Sequence, residues 1–576
     1  MDTVRLHKNW IYREQKPVPP DLPAWAAGLG VSPWLAALLW ERDLGGFTAM
    51  DEYLTPGLKG LVPPKDWPGV PEAAVRLAAA ARAGKKIVVW GDYDVDGVTA
   101  TALCSEVFAW HGVRVETHIP HRAGEGYGLN IPALESLAGQ GMAVLLTVDC
   151  GISDVEAVAR ANELGVEVII TDHHLPGPEL PNAHAICNPR LPGAPYGYLA
   201  GVGMVFFLMA EVNGLLSEAA GNGAARPDIR RVLDLVALGT VADMVDLNGQ
   251  NRILVKNGLL VLADGGRPGL AALKARSGYA PTAVLDSGQV AFGLAPRLNA
   301  AGRLDRADAA LALLMCQDHA EAARLAENLD MMNIERRGEE ERAGEEALTQ
   351  ARLNCAAPAF VLFAPHWHPG VMGIVASRVV EVHHKPCLVV CEQDGLLKGS
   401  GRSISAFNLY EGLTACADLL LRFGGHHQAA GFSLAPGNLE ALRARFCQVV
   451  AAGLGEEPIL PRLFLDGHLS FAEASRLDLV KELQLLQPFG MNNPEPVFAS
   501  PPLLLKGIRP FAHKHVTLEL CDEEAGITMR AKAWRSLGHF PSQFVGRKLQ
   551  IAYSPRLDAY NGVTSIDIHL RDWRWL

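Results

Sequence analysis

The chain has 576 residues, is 49% hydrophobic and 20% charged, and carries a formal net charge of −11. That length and apolar content predict three or four domains with real cores, and the acidic balance argues against a general nucleic-acid coat protein while leaving room for a local basic groove. Ten cysteines without a Cys-x-x-Cys pair read as reduced, mostly buried thiols rather than a zinc site, and no apolar run reaches membrane length.

Residues 1–68 are rich in Pro and Trp, with at most short helices such as Trp34 to Arg42, and read as an N-terminal cap on the next domain. Met1 to Gln15 carry charge throughout with no signal-peptide core, so the expectation is a cytoplasmic chain without membrane attachment.

From 69 to 312, apolar strand runs alternate with amphipathic helices, which predicts a doubly wound, largely parallel α/β sheet. Ile87 to Trp90 runs through Gly91 into Asp92, Asp94 and Asp96, three carboxylates at alternate positions before Gly97 and a helical stretch, Val98 to Trp110. Acids crowded at a strand end repel one another unless a cation neutralises them. Val144 to Val148 ends on Asp149-Cys150-Gly151, and Val166 to Thr171 ends on Asp172-His173-His174, with Asp154 to Leu164 as the crossover helix. Parallel strands would collect these polar ends at the carboxyl edge, where ligands bind. Asp243, an acid in an apolar frame, is a fourth candidate. The glycine-rich loop Pro120 to Gly128 brings Arg122 and Tyr127 toward the same edge, with an ordinary surface loop as the equal alternative.

Residues 313–355 read as a long solvated connecting helix. Residues 356–457 form a second, smaller α/β unit, with strands at Phe360–Phe363 and from Cys387. Its glycine-rich turns carry Arg378, Arg402, Ser403, Gly425 and His426, a pattern that favours anion binding. The tail, 458–576, shows five short β-like runs and an Asn561-Gly562 hairpin signal, which suits an OB-fold barrel that holds single strands. Lys506, Arg509, Phe511, Lys514, His515, Lys532 and Trp534 supply cations and aromatic platforms, although about half of them could equally serve the barrel.

Aspartates with one or two imidazoles suit two hard divalent cations, Mn²⁺ or Mg²⁺, which can clamp a phosphodiester. In their order, the three acid motifs, Gly239 to Asp243, Arg297-Leu298-Asn299-Ala300-Ala301-Gly302-Arg303 and Gly424 to Gly431 resemble the DHH phosphoesterases, most closely their single-strand-specific exonuclease branch. The resemblance covers most of the chain. It implies a DHH-type catalytic domain followed by an accessory DHHA1 domain and the OB-fold. It further implies that Asp149 bridges the ions, that Asp94 helps hold one, and that Asp96, His173 and Asp243 hold the other. His174 would face the scissile phosphate, and Arg122, Arg297 and Arg303 would contact phosphate or DNA. Many family members carry a histidine four residues before the position of Asp94; here it is Trp90, so Asp92 is the candidate substitute.

The resulting expectation is a metal-dependent exonuclease that releases 5′-mononucleotides from the 5′ end of single-stranded DNA in repair and recombination. Arg122, Arg303, Arg378 and Arg402 would read the end phosphate. The chain is expected to be monomeric, with a helicase or a single-strand-binding protein as partner. The alternatives are a phosphodiesterase for short oligonucleotides or cyclic dinucleotides, and a non-catalytic DNA-binding scaffold.

Overall fold

The structure is a computed structural model, and it describes all residues except 1–5, 122–124, 220–225, 305–306, 456–458, 513 and 561–562. Arg122 and the Asn561-Gly562 hairpin signal therefore lie outside the described residues. The chain divides into two compact units. One comprises Phe47–Ile334 and Leu486–Glu495; the other comprises Met1–Gly46, Glu335–Leu485 and Pro496–Leu576.

After a short N-terminal strand β1 (Asn9–Tyr12), the first unit contributes β2 (Ile87–Gly91), β3 (Glu116–His118), β4 (Val144–Val148), β5 (Glu167–Thr171) and β6 (Ala185–Cys187). All pair in parallel, in the order β3-β2-β4-β5-β6. Every residue of β2 and β4 is buried, as expected of strands covered on both faces. The helices Val70–Arg82, Val95–Trp110 and Gly201–Ala219 share one core with Val89 and Leu146. Ile131–Gly139 and Val155–Glu163 cover the other face through Leu134, Leu137, Val158 and Ala161. Strand order reverses between β2 and β4, so the loops leaving these two strands diverge and open the crevice where such sheets bind ligands. Gly201–Ala219 is long and apolar enough to cross a membrane, but 72% of it is buried, as in a core helix.

In the second unit, β7 (Phe360–Phe363), β8 (Cys387–Gln393), β9 (Leu396–Arg402), β10 (Arg422–Gly425) and β11 (Ala429–Leu434) form a mixed sheet in the order β10-β11-β9-β8-β7. The expected connecting segment resolves into Asp308–Met315 and a 35-residue helix, His319–Leu353. A strand β12 (Arg462–Leu465) and a short β13 (Phe498–Ala499) precede β14 (Leu503–Phe511), β15 (His515–Asp522), β16 (Ile527–Ala533), β17 (Lys548–Tyr560) and β18 (Val563–Trp575). The last five correspond to the five predicted runs. Their pairings, β14–β15, β15–β16, β16–β18, β18–β17 and β17–β14, close into a ring, through two residue pairs each at β14–β17 and β16–β18.

The N-terminal segment departs from the cap expected on the catalytic domain. Residues 1–46 cluster with the second unit. There β1 pairs in parallel with β12, Trp10 Nε1 donates to Asp572 Oδ2 at 2.7 Å, and Arg13 and Arg42 both close on buried Asp466. All ten cysteines are free.

Candidate metal centre

Local sequence fixes each acid in turn. Asp94 caps the helix Val95–Trp110, its Oδ1 accepting the Asp96 and Gly97 amides at 2.9 and 3.2 Å. Residue 97 must be glycine, because a Cβ there would lie 2.5 Å from the Asp92 backbone. Asp96 turns inward, where its two oxygens accept the Gly201 and Val202 amides at 2.6 and 2.9 Å and so cap the core helix Gly201–Ala219. Asp149, at the end of β4, sits at φ +64°, a left-handed conformation that costs an aspartate free energy and recurs at functional sites. A Cβ on Gly201 would approach its Oδ1 to 2.7 Å. Asp243 ends the helix Leu233–Ala242, and on that helix a Cβ at Gly239 would reach Asp96 Oδ1 at 2.8 Å.

Ligand atoms of Asp92, Asp94 and Asp149 lie within 4.8 Å of one another, as do those of Asp96, His173 and Asp243, and those of Asp149, His173 and His174. The triads meet where His173 Nε2 stands 3.2 Å from Asp149 Oδ1, 3.5 Å from Asp243 Oδ2 and 3.9 Å from Asp96 Oδ2. The His173 ring is hydrogen-bonded by the Leu199 backbone, while its Nε2 and Asp149 Oδ1 are shut from solvent without a hydrogen bond. Burial, and then the charges of the neighbouring aspartates, push Asp149 and Asp243 well above the usual carboxylate range; Asp96 is pushed up to about 7 by burial and Asp94. Burial, with His174 next to it, holds His173 down at about 3. Among the described residues, no Lys or Arg forms an ion pair with Asp96, Asp149 or Asp243. Buried oxygens and an imidazole nitrogen converge without a counter-charge, which is the donor set of hard divalent cations.

Asp172 shapes this loop and stands outside the three triads. Its oxygens accept the Ile152, His173 and His174 amides and His174 Nδ1, the last at 2.7 Å. Burial lowers the His174 pKa, but the Asp172 hydrogen bond and charge outweigh it and leave the imidazole raised. Tyr127 Oη approaches His174 Nδ1 at 3.1 Å.

The motif Arg297 to Arg303 supports the centre from behind. Asn299 Oδ1 accepts the Val95 amide at 3.2 Å, and a Cβ on Gly302 would come within 2.4 Å of the Tyr93 carbonyl. Arg297 pairs with Asp330 at 2.8 Å, and Arg303, half-buried, lies one turn after Asn299. In the second unit, Arg402, Ser403 and the Gly425-His426 turn are neighbours: Arg402 stands opposite Ala429, the Ser403 amide donates to Gln428, and the His426 amide donates to Ala429. Glycines at 373 and 344 leave room for the guanidiniums of Arg402 and Arg378. Arg378 makes no hydrogen bond or ion pair among the described residues. On the ring of strands, Trp534 is 53% exposed and packs with Phe511 and His515 at 5.6 and 4.8 Å between centroids, beside Lys514, which pairs with Glu341. Asn299 and Gly201 carry no signal of a site role in the sequence, because each acts through its contacts rather than through its own chemistry.

Comparison with known proteins agrees with this anatomy. Residues 86–240 match the DHH family N-terminal domain, 356–452 the DHHA1 domain and 465–572 the RecJ OB domain. The chain is 36% identical to the single-stranded-DNA-specific exonuclease RecJ of Salmonella typhimurium, over 97% of both chains. It is 37% identical to that of Bacillus subtilis, over 89% of this chain but 64% of the longer relative. The crystal structure of Thermus thermophilus RecJ with Mn²⁺ superposes with a TM-score of 0.82 at 33% identity, covering 99% of this chain and 80% of that one. The same protein with Mg²⁺ gives 0.76 at 32%, over 99% and 78%.

Proposed function

This chain belongs to the RecJ family of single-stranded-DNA-specific exonucleases, and on that premise we propose that it hydrolyses single-stranded DNA from the 5′ end to 5′-mononucleotides. The observation that carries the reading is the pair of acidic triads that meet at Asp149 and His173, 3.2 Å apart and shut from solvent. Asp92, Asp94 and Asp149 would hold one divalent cation, and Asp96, His173 and Asp243 the other, with Asp149 between them. Mn²⁺ or Mg²⁺ held there would supply Lewis acidity toward an attacking water and positive charge against the phosphodiester.

The protein's own groups account for the rest. Asp172 orients His174 and favours its protonated form, and a protonated imidazole there would stabilise negative charge that develops on the phosphate. Tyr127 Oη steadies the same ring. Exposed Trp534, with Phe511 and His515, offers a stacking platform for successive bases. A phosphatase for small compounds has little use for such a ring of strands, and a non-catalytic scaffold has no reason to keep both triads. We further propose that the enzyme works as a cytoplasmic monomer in repair and recombination, alongside a helicase or a single-strand-binding protein.

The test is digestion of 5′- and 3′-labelled single and double strands with Mn²⁺ or Mg²⁺. Mononucleotides should appear from the 5′ end of single strands. Release from the 3′ end, or no cleavage by folded, metal-loaded protein, would overturn the proposal.

A further inference from the structure

The segment that leaves β6 returns to the metal centre at both of its ends. Asn188, 2% exposed, donates through Nδ2 to the His174 carbonyl at 3.0 Å and accepts the Arg190 amide at 2.7 Å. At the far end Leu199 holds the His173 ring, and Gly201 packs on Asp149. Between them the Arg190 guanidinium lies 4.7 Å over the ring of Tyr198, whose own side is 48% exposed.

Arg190 differs from the other enclosed arginines of this unit. Arg267 closes on Asp234 and Glu106, Arg297 on Asp330 and Arg76 on Glu167, while Arg252, over the Tyr53 ring, donates to the Tyr53 and Leu486 carbonyls. Among the described residues the Arg190 side chain has neither an ion pair nor a hydrogen bond, and its Nε is shut from solvent without a partner. Leaving a charged donor unsatisfied is costly. A carboxylate there would neutralise it, but would also add to the repulsion among the aspartates. An incoming anion would satisfy it without that penalty. The planar fork suits the two free oxygens of a phosphate, and the tyrosine face holds its plane.

We propose that Arg190, shelved on Tyr198, grips a backbone phosphate of the substrate strand beside the metal centre and positions the strand for cleavage. The inference rests on the single-strand reading above.

The experiment is equilibrium binding of a short single strand to the full chain without divalent metal, over a series of salt concentrations, which stands whether or not the enzyme cleaves. Losing one phosphate contact should flatten the slope of log K against log salt by about 0.7 and weaken binding about tenfold in Arg190→Ala. Arg190→Lys should keep the slope and recover only part of the affinity. A single methylphosphonate linkage, moved along the strand, should cost the wild type at one position and cost Arg190→Ala nothing further there. Mn²⁺ affinity should be the same in all three proteins. If Arg190→Ala does not fold, Arg190→Gln carries the same comparison. An unchanged slope, with equal sensitivity to every methylphosphonate, would overturn the assignment and leave Arg190 as a structural cation.

Discussion

Stripping the metal should reverse the pH dependence of stability around the centre. Asp96 is 1% exposed, and its carboxyl is pushed from the ordinary 3.8 to about 7, first by burial and then by Asp94. A carboxyl whose folded pKa is raised contributes fully below pH 4 and loses that contribution as pH climbs through 7. The displacement corresponds to about 4 kcal/mol by linkage. Asp149 and Asp243, also raised, act in the same direction. His173 opposes them. Held at about 3, it is neutral in the fold while the unfolded imidazole protonates below 6.5, so it costs about 2 kcal/mol at pH 5 and nothing above 6.5. Three acids outweigh one imidazole, and above pH 6.5, where His173 no longer contributes, the raised His174 adds to their loss. Metal-free protein should therefore lose protection between pH 5 and 8. Metal-loaded protein should gain it, because the ligands bind deprotonated. Hydrogen exchange on peptides covering Ile87–Gly91 and Val144–Val148, corrected for intrinsic rates, with chelator or with Mn²⁺, reads this directly. Metal-free protection that rises with pH, or stays flat, would refute the reasoning.

Asp149→Asn keeps the left-handed backbone that asparagine tolerates but removes a charge shared by two triads. Cleavage should fall by at least about a hundredfold to a thousandfold, while metal-free stability at neutral pH rises, because a buried carboxyl whose pKa is raised is replaced by a neutral amide. Gly201→Ala drives a methyl to 2.7 Å from Asp149 Oδ1 and should weaken Mn²⁺ binding roughly 10- to 100-fold by titration calorimetry. Gly203→Ala, on the same helix with only ordinary contacts, should not. Trp534→Ala should weaken single-strand binding by about 1–3 kcal/mol in fluorescence anisotropy and leave Mn²⁺ affinity alone. Arg378→Ala should slow cleavage of 5′-phosphorylated strands more than of 5′-hydroxyl strands, by the equivalent of about 1.5–3 kcal/mol; equal losses would place the end-reading group elsewhere.

What the sequence made legible follows the range of the interaction. Most of the centre was readable because Asp92, Asp149 and Asp172-His173 follow strands whose apolar runs are continuous in the chain, and parallel pairing carries those ends to one edge; Asp243, at the end of a helix, stood out only as an acid in an apolar frame. The ring of five strands was readable for the same reason: turn residues separate local runs. The place of residues 1–46 was not, because β1 finds its partner β12 more than four hundred residues away, and no local pattern encodes a pairing of that span. The roles of Gly201 and of Gly239, the latter quoted only as the start of a family motif, were not legible for a different reason. Both glycines matter through the Cβ they lack, against oxygens that only the fold brings near. Arg190 is the limiting case. An arginine in a polar turn has no distinguishing pattern in one dimension, since a partner could come from anywhere. Its meaning depends on the fold enclosing its Nε while no carboxylate of the described residues pairs with it, so that an arriving phosphate can.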